Sequence, residues 1–124
     1  METYQEFIKR KNEQFKLGKA IIMNDIGRNG KVFYTREAWT FMPQSNLPDK
    51  VFLIERLRQT KIEGKISYPN TDKIGRKIYR IGYFIIAKNG RSKGHWVWGQ
   101  FCPTLPLKDL QKLIHKAKGE KTII

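Results

Sequence analysis

The sequence has very little cysteine and no long hydrophobic run. Its single cysteine, Cys102, excludes an internal disulfide and suits a reducing compartment. No stretch approaches the roughly 18 uninterrupted apolar residues of a membrane span, and no signal-peptide core follows Met1. We therefore expect a cytoplasmic protein with no membrane partner.

Acidic residues are scarce as well. The 124 residues include 11 Asp+Glu against 25 Lys+Arg, which gives a formal net charge of +14 at pH 7. With 40% hydrophobic and 12% aromatic residues and only five prolines, the chain is unlike a disordered basic tail and has enough apolar material for a packed core. We expect a single basic domain over residues 1–124, and its composition indicates an anionic partner rather than a particular reaction.

The excess positive charge is concentrated in the middle of the chain. Residues 55–93 carry eleven basic and three acidic side chains, a net charge of +8, whereas residues 1–54 and 94–124 carry +3 each. A localised excess is typical of an electrostatic footprint for nucleic acid. A solvated basic face, or a surface that docks on an acidic protein, explains the same distribution, so these alternatives stay open.

A helix is predicted near each end of the chain. Thr3 and Glu6 have the spacing of a capping box, and the apolar stripe that follows predicts an amphipathic helix over 3–17, ending at Gly18. A second clean stripe of leucine, isoleucine and alanine predicts a helix over 107–117.

A third helix is predicted in the middle. The stretch 43–48 has a proline at each end and is typical of a loop, and Pro48 suits the first turn of a helix. The apolar run that follows fits a buried strand or a buried helix, and its 3.6-residue stripe favours the helix. The stripe of this predicted helix consists of Leu47, Val51, Ile54 and Leu57.

A short strand is predicted over 65–68.

Two hairpins supply the remaining strands. The first has strands at 20–23 and from 32 to the proline at 43, joined by an Asn-Gly turn within 27–30. The second has long strands at 78–88 and 95–102, joined by a glycine-containing loop. The predicted fold is α+β: about five antiparallel strands in one sheet or a half-open barrel, covered by three helices.

The second hairpin is the candidate functional surface. Its loop joins basic residues to glycines, whose backbone N–H groups can turn toward a phosphate. Trp96 and Trp98 share one face of their strand, where they either stack on bases or pack beneath a helix. We expect non-catalytic binding of nucleic acid, mainly through phosphates. The candidate residues are Arg76, Lys77, Arg80, Lys88, Arg91, Lys93, Trp96 and Trp98.

A metal-dependent nuclease is the alternative among enzymes. Pro48-Asp49 followed by Glu63-Gly64-Lys65 has the outline of a motif in which carboxylates hold Mg²⁺. A chain this rich in lysine is expected to contain an acid-x-Lys match by chance, so the match carries little weight.

Other catalytic sets are poorer. One cysteine and two histidines, His95 and His115, do not supply the four ligands of a structural zinc site. His95 and Cys102 are seven residues apart on a predicted strand and point to opposite faces, which argues against a nucleophile and base pair. No catalytic residue, metal or cofactor is therefore predicted.

Overall fold

A computed structural model describes residues 1–24, 29–65 and 74–124 of the protein. The described part contains two helices and five strands. In chain order the elements are α1 (Tyr4–Phe15), β1 (Ile21–Asn24), β2 (Lys31–Gln44), β3 (Leu47–Glu63), β4 (Lys77–Ile86), β5 (Trp96–Trp98) and α2 (Leu107–Gly119).

The five strands form one antiparallel sheet in chain order, with β3 at its centre and β1 and β5 at its edges. This confirms the predicted α+β class and both hairpins. The sheet has five strands as predicted, but the set differs, because β3 replaces a predicted helix and residues 66–68 of the predicted short strand lie outside the described residues. The sheet is built around β2 and β3, strands of 14 and 17 residues joined by a two-residue turn at Ser45 and Asn46.

The predicted middle helix is wrong. Residues 47–63 are strand β3, and the loop predicted over 43–48 is a tight hairpin turn, with Pro43 paired to Val51 beside a register shift. The physical reason is the central position of β3: it is covered on both faces, so its apolar residues run without the alternation that identifies a half-buried strand. Pro48 stands near the start of the strand, where a missing N–H is tolerated.

Two other predicted elements lie partly outside the described residues, and one predicted strand is shorter than expected. Residues 66–68 of the short strand predicted over 65–68, and residues 27 and 28 of the first turn, lie outside the described residues. The strand predicted over 95–102 is only three residues long. The last backbone bond to β4 after it is the one from the Gly99 N–H to the Tyr83 carbonyl, at 2.8 Å, and the chain then leaves the sheet.

The first helix forms as predicted. The Thr3 hydroxyl accepts from the Glu6 N–H at 3.2 Å and the Glu6 carboxylate accepts from the Thr3 N–H at 3.3 Å, so both arms of the capping box are present. Beyond its end, Gly18 adopts a φ of 74°, a left-handed conformation that favours glycine.

The two helices cover opposite faces of the sheet. On the α1 face, Phe7 of α1 packs in a cluster with Phe41 and Leu53. On the α2 face, Leu113 of α2 packs with Phe52. Because successive strand residues point to opposite faces and each face is covered by a helix, both faces of β3 are buried.

Among the described residues, no helix is long and apolar enough to cross a membrane.

Candidate nucleic-acid interface

The loop between β4 and β5 carries three of the predicted cations. Lys88, Arg91 and Lys93 are all exposed. Gly90 and Gly94 have φ values of 79° and 81°, and the Gly94 N–H donates to the Ala87 carbonyl at 2.8 Å, so the loop is a closed turn. Within the described chain, no ion pair involves any of the three cations. We call Lys88, Arg91 and Lys93 the loop cations.

Arg80 of β4 and Trp98 of β5 meet on the α1 face. The guanidinium carbon of Arg80 is 5.1 Å from the centroid of the Trp98 ring. The ring covers Gly82, where a Cβ would collide with it, and meets Phe84 edge to face at 5.0 Å. Trp98 nevertheless stays 38% exposed. An exposed indole beside a guanidinium is a suitable platform for a planar base.

Trp96 is placed differently from Trp98. Its ring stacks on Phe7 of α1 with centroids 4.6 Å apart, and its Nε1–H donates to the Glu2 carbonyl at 3.1 Å. Trp96 therefore packs beneath a helix, as most tryptophans of small domains do. Of the two tryptophans, Trp98 is the more accessible to a base.

A buried carboxylate positions Arg80. Glu55 of β3 has a side chain that is 0% exposed, and its two oxygens each accept a 2.6 Å hydrogen bond from an arginine Nε, one from Arg36 and one from Arg80. The buried carboxylate fixes both side chains. Because both arginines use Nε, their terminal Nη groups are left to other acceptors.

Lys11 of α1 adds a third cation to this region. Its Nζ lies 5.0 Å from the Phe84 ring centroid and 5.9 Å from that of Phe15, whose face is covered by the Arg36 guanidinium at 3.7 Å. Burial, together with the positive charges of Arg10 and Arg36, lowers the pKa of Lys11 below its usual 10.5. The α1 face thus carries more cationic than anionic charge around Glu55.

Arg76 and Lys77 lie at the other end of β4 from the loop. The ten residues of β4 separate them from the loop cations by roughly 30 Å. Lys77 faces the α2 side, where its Nζ is 3.3 Å from Glu37. The structure thus groups the loop cations at one end of the hairpin and joins Arg80 to Trp98, but it does not gather all six predicted cations into one cluster.

Glu37 is the centre of a second charge cluster, on the α2 face. It accepts from Arg56 Nε at 2.9 Å and lies 3.2 Å from Arg58 Nε, in addition to Lys77. Burial raises the pKa of Glu37, but hydrogen bonds from Arg56 and Lys77 outweigh it, so the pKa lies below the ordinary 4.5. Arg56 also donates to the Lys121 carbonyl at 2.9 Å, which ties the C-terminal residues to the sheet.

The residues of the nuclease motif do not converge. Asp49 and Glu63 are fourteen positions apart on the single strand β3, roughly 45 Å of extended chain. Among the described residues, no group of three or more His, Cys, Asp and Glu side chains could hold a metal ion.

Comparison with known protein families, curated proteins and solved structures finds no match for this chain. The function of the protein is therefore inferred from the geometry of its described residues.

The charge clusters around Glu55 and Glu37 could not be read from the sequence. Glu55 is separated from Arg36 by 19 residues and from Arg80 by 25, so their contact depends on the register of three strands. The available signal was a glutamate in the apolar run 51–57 of a chain rich in arginine. A buried carboxylate requires cationic partners, and arginine supplies them best.

Proposed function

We propose that the protein binds nucleic acid without catalysis, mainly through phosphate contacts made by the β4–β5 hairpin. The loop cations hold phosphates at one end, and Arg80 with Trp98 forms a platform on the α1 face. The observation that carries the proposal is the absence of an ion pair at the loop cations within the described residues.

The ion pairs of the described chain support this assignment. Six described carboxylates form ion pairs, and every one of their partners lies outside the loop. Three cations on a short turn repel one another unless an external anion joins them. The six carboxylates belong to Glu2, Glu13, Glu37, Glu55, Glu63 and Glu120.

The Arg80 and Trp98 pair favours a single-stranded ligand. Base stacking needs exposed aromatic surface, and Trp98 is 38% exposed where it lies over Gly82. In a duplex the base faces are hidden, so a stacking platform of this kind serves unpaired bases.

A salt series with matched charge variants tests the phosphate contacts. Affinity for a short single-stranded oligonucleotide is measured by fluorescence anisotropy at several salt concentrations. For the wild type, the logarithm of the association constant should fall linearly with the logarithm of the salt concentration. Replacing the loop cations by glutamine should make this slope shallower by about 2, since each lost phosphate contact removes about 0.7. The control replaces three exposed lysines of α2, which lowers the net charge equally: Lys108, Lys112 and Lys118. Equal effects of the two triple variants would contradict the proposal.

Tryptophan fluorescence tests the platform separately. Single strands should quench the emission of the wild type, and Trp98→Leu should remove most of that quenching and weaken binding by roughly tenfold, as expected for one stacked base. Trp39→Leu is not a suitable control because Trp39 packs against the core, so the exposed Tyr79 on the α2 face is replaced instead, as Tyr79→Leu. If heparin competes as well as the oligonucleotide and quenching persists in Trp98→Leu, the charge is generic and the acidic-protein alternative is favoured.

A further inference from the structure

A small cavity opens between the end of α1 and strands β1 and β2, away from the β4–β5 loop. Its volume is about 270 Å³. That is at the lower limit of typical small-molecule pockets, which span about 300–1,000 Å³. Its size suits a compact group rather than a large ligand.

Three cations line this cavity. They are Lys11, Lys19 and Arg36, and none of the described residues that line the cavity is acidic. Arg36 is held by its Nε bond to Glu55 at 2.6 Å, so its guanidinium is fixed before any ligand arrives. The remaining lining is largely apolar and includes the buried ring of Phe15.

The charged form of Lys11 is disfavoured before any ligand binds. Burial is the main cause that lowers its pKa, and the positive charges of Arg10 and Arg36 lower it further. A bound anion would offset the repulsion from the two arginines. The carbonyl end of α1 disfavours an anion, but it amounts to about half a unit charge. Glu55 shares its single negative charge between Arg36 and Arg80, so the recess keeps a net positive charge.

We propose that this cavity binds a phosphate monoester group through Lys11, Lys19 and Arg36. A monoester carries a charge between about −1.5 and −2 at pH 7, whereas a backbone diester carries only −1. Three cations in one recess match the dianion better. The group comes either from the terminal phosphate of an oligonucleotide or from a small phosphorylated molecule. The first source rests on the proposed function; the second does not.

Two kinds of probe distinguish these sources. One is a pair of single-stranded oligonucleotides of identical sequence, with a 5′-phosphate or a 5′-hydroxyl, measured by anisotropy. The other is inorganic phosphate and pyrophosphate, measured by titration calorimetry. The test variant is Lys11→Met with Lys19→Met, because methionine keeps an apolar stem of similar length and removes the charge. The control is Lys9→Met with Lys112→Met, two exposed lysines outside the cavity, which changes the net charge equally.

We expect the wild type to prefer the 5′-phosphate by at least about fivefold, with the preference lost in the test variant and kept in the control. The preference should also decline as the pH falls through about 6, where the monoester takes up a proton. If no oligonucleotide binds but pyrophosphate binds and the test variant abolishes it, the proposed function fails and the cavity proposal holds. Equal affinity for both 5′ ends with no binding of phosphate or pyrophosphate overturns the cavity proposal, as does binding that the test variant leaves unchanged.

Discussion

The two faces of the sheet each carry a glutamate that holds arginines, and the two clusters differ in burial. Glu55, on the α1 face, is 0% exposed and holds Arg36 and Arg80, which are 18% and 28% exposed. Glu37, on the α2 face, is 19% exposed, and two of its three partners are more than 40% exposed. Both clusters join a carboxylate to cationic side chains, but water reaches Glu37 and does not reach Glu55.

This difference assigns the two clusters different roles. A buried carboxylate between two arginines has no substitute for either partner, so it fixes their positions for any ligand on that face. A partly exposed one exchanges its exposed partners for water at little cost. The α1 face thus carries two oriented arginines, whereas on the α2 face Arg56 is held and the exposed Arg58 and Lys77 are free to rearrange.

The largest predicted effect is the loss of stability when the buried charge of Glu55 is removed. Glu55→Gln removes the charge that separates two arginines inside the protein, and we expect it to lower the free energy of unfolding by about 3 kcal/mol. Glu37→Gln, the matched control on the other face, should lower it by no more than about 1 kcal/mol. Urea denaturation measures both. Similar losses in the two variants would show that burial does not distinguish the clusters.

Two glycines of the β4–β5 hairpin extend the comparison to packing. A Cβ at Gly82 would collide with the Trp98 ring, and one at Gly99 would collide with the Tyr83 ring. Trp98 is 38% exposed and can move outward, whereas Tyr83 is 8% exposed and cannot. Gly99→Ala should therefore cost about 2 kcal/mol of stability and Gly82→Ala about 1 kcal/mol. The order of the two denaturation midpoints checks this, and the reverse order would contradict it.

The helix ends differ between the two faces as well. Gly18 follows α1 with a φ of 74°, but Lys121 follows α2 with a φ of 61°, a conformation that is strained for a residue with a Cβ. Lys121→Gly should raise the free energy of unfolding by about 0.5–1 kcal/mol, and Gly18→Ala should lower it by about 1 kcal/mol. Thermal unfolding of the two variants measures the difference. A loss of stability in Lys121→Gly would mean that its side chain contributes more than its backbone conformation costs.

The smallest predicted effect is the pH dependence of the Glu37 cluster. The pKa of Glu37 is below 4.5 in the folded state, so its contribution is complete above the unfolded pKa and is lost as the pH falls through the folded pKa. Between pH 5 and pH 3 the wild type should therefore lose stability faster than Glu37→Gln, by at most about 1 kcal/mol. Denaturation at several pH values measures this slope. Parallel slopes would show that Glu37 is not stabilised by its cationic partners.

Local signals predicted part of the fold well. The capping box at Thr3 and the glycine after α1 identify a helix through contacts within a few residues, and the two hairpins follow from turn residues between apolar segments. The centre of the sheet was not predictable in this way. The run 51–57 has the stripe of a helix, and only the strands on both sides of it make it a strand.

The candidate site was likewise predictable only where local sequence determines it. The exposed loop cations follow from their position on a glycine-containing turn, which is a local property of residues 88–94. Three features join residues far apart in the chain: the placement of Trp96 beneath α1, the Glu55 cluster, and the cavity in which Arg36 joins Lys11. Strand register and helix docking determine these contacts, and neither can be read from a single sequence.

The tight turn at Ser45 and Asn46 also has a consequence for how the chain folds. It brings together strands of 14 and 17 residues with almost no loop to close, so the sheet can grow outward from it by local steps. Asp109 of α2 accepts from the Ser45 N–H at 2.9 Å, a contact 64 residues distant that is formed only after the hairpin exists. We therefore expect substitutions in the turn to slow folding, and substitutions at Leu113 mainly to accelerate unfolding.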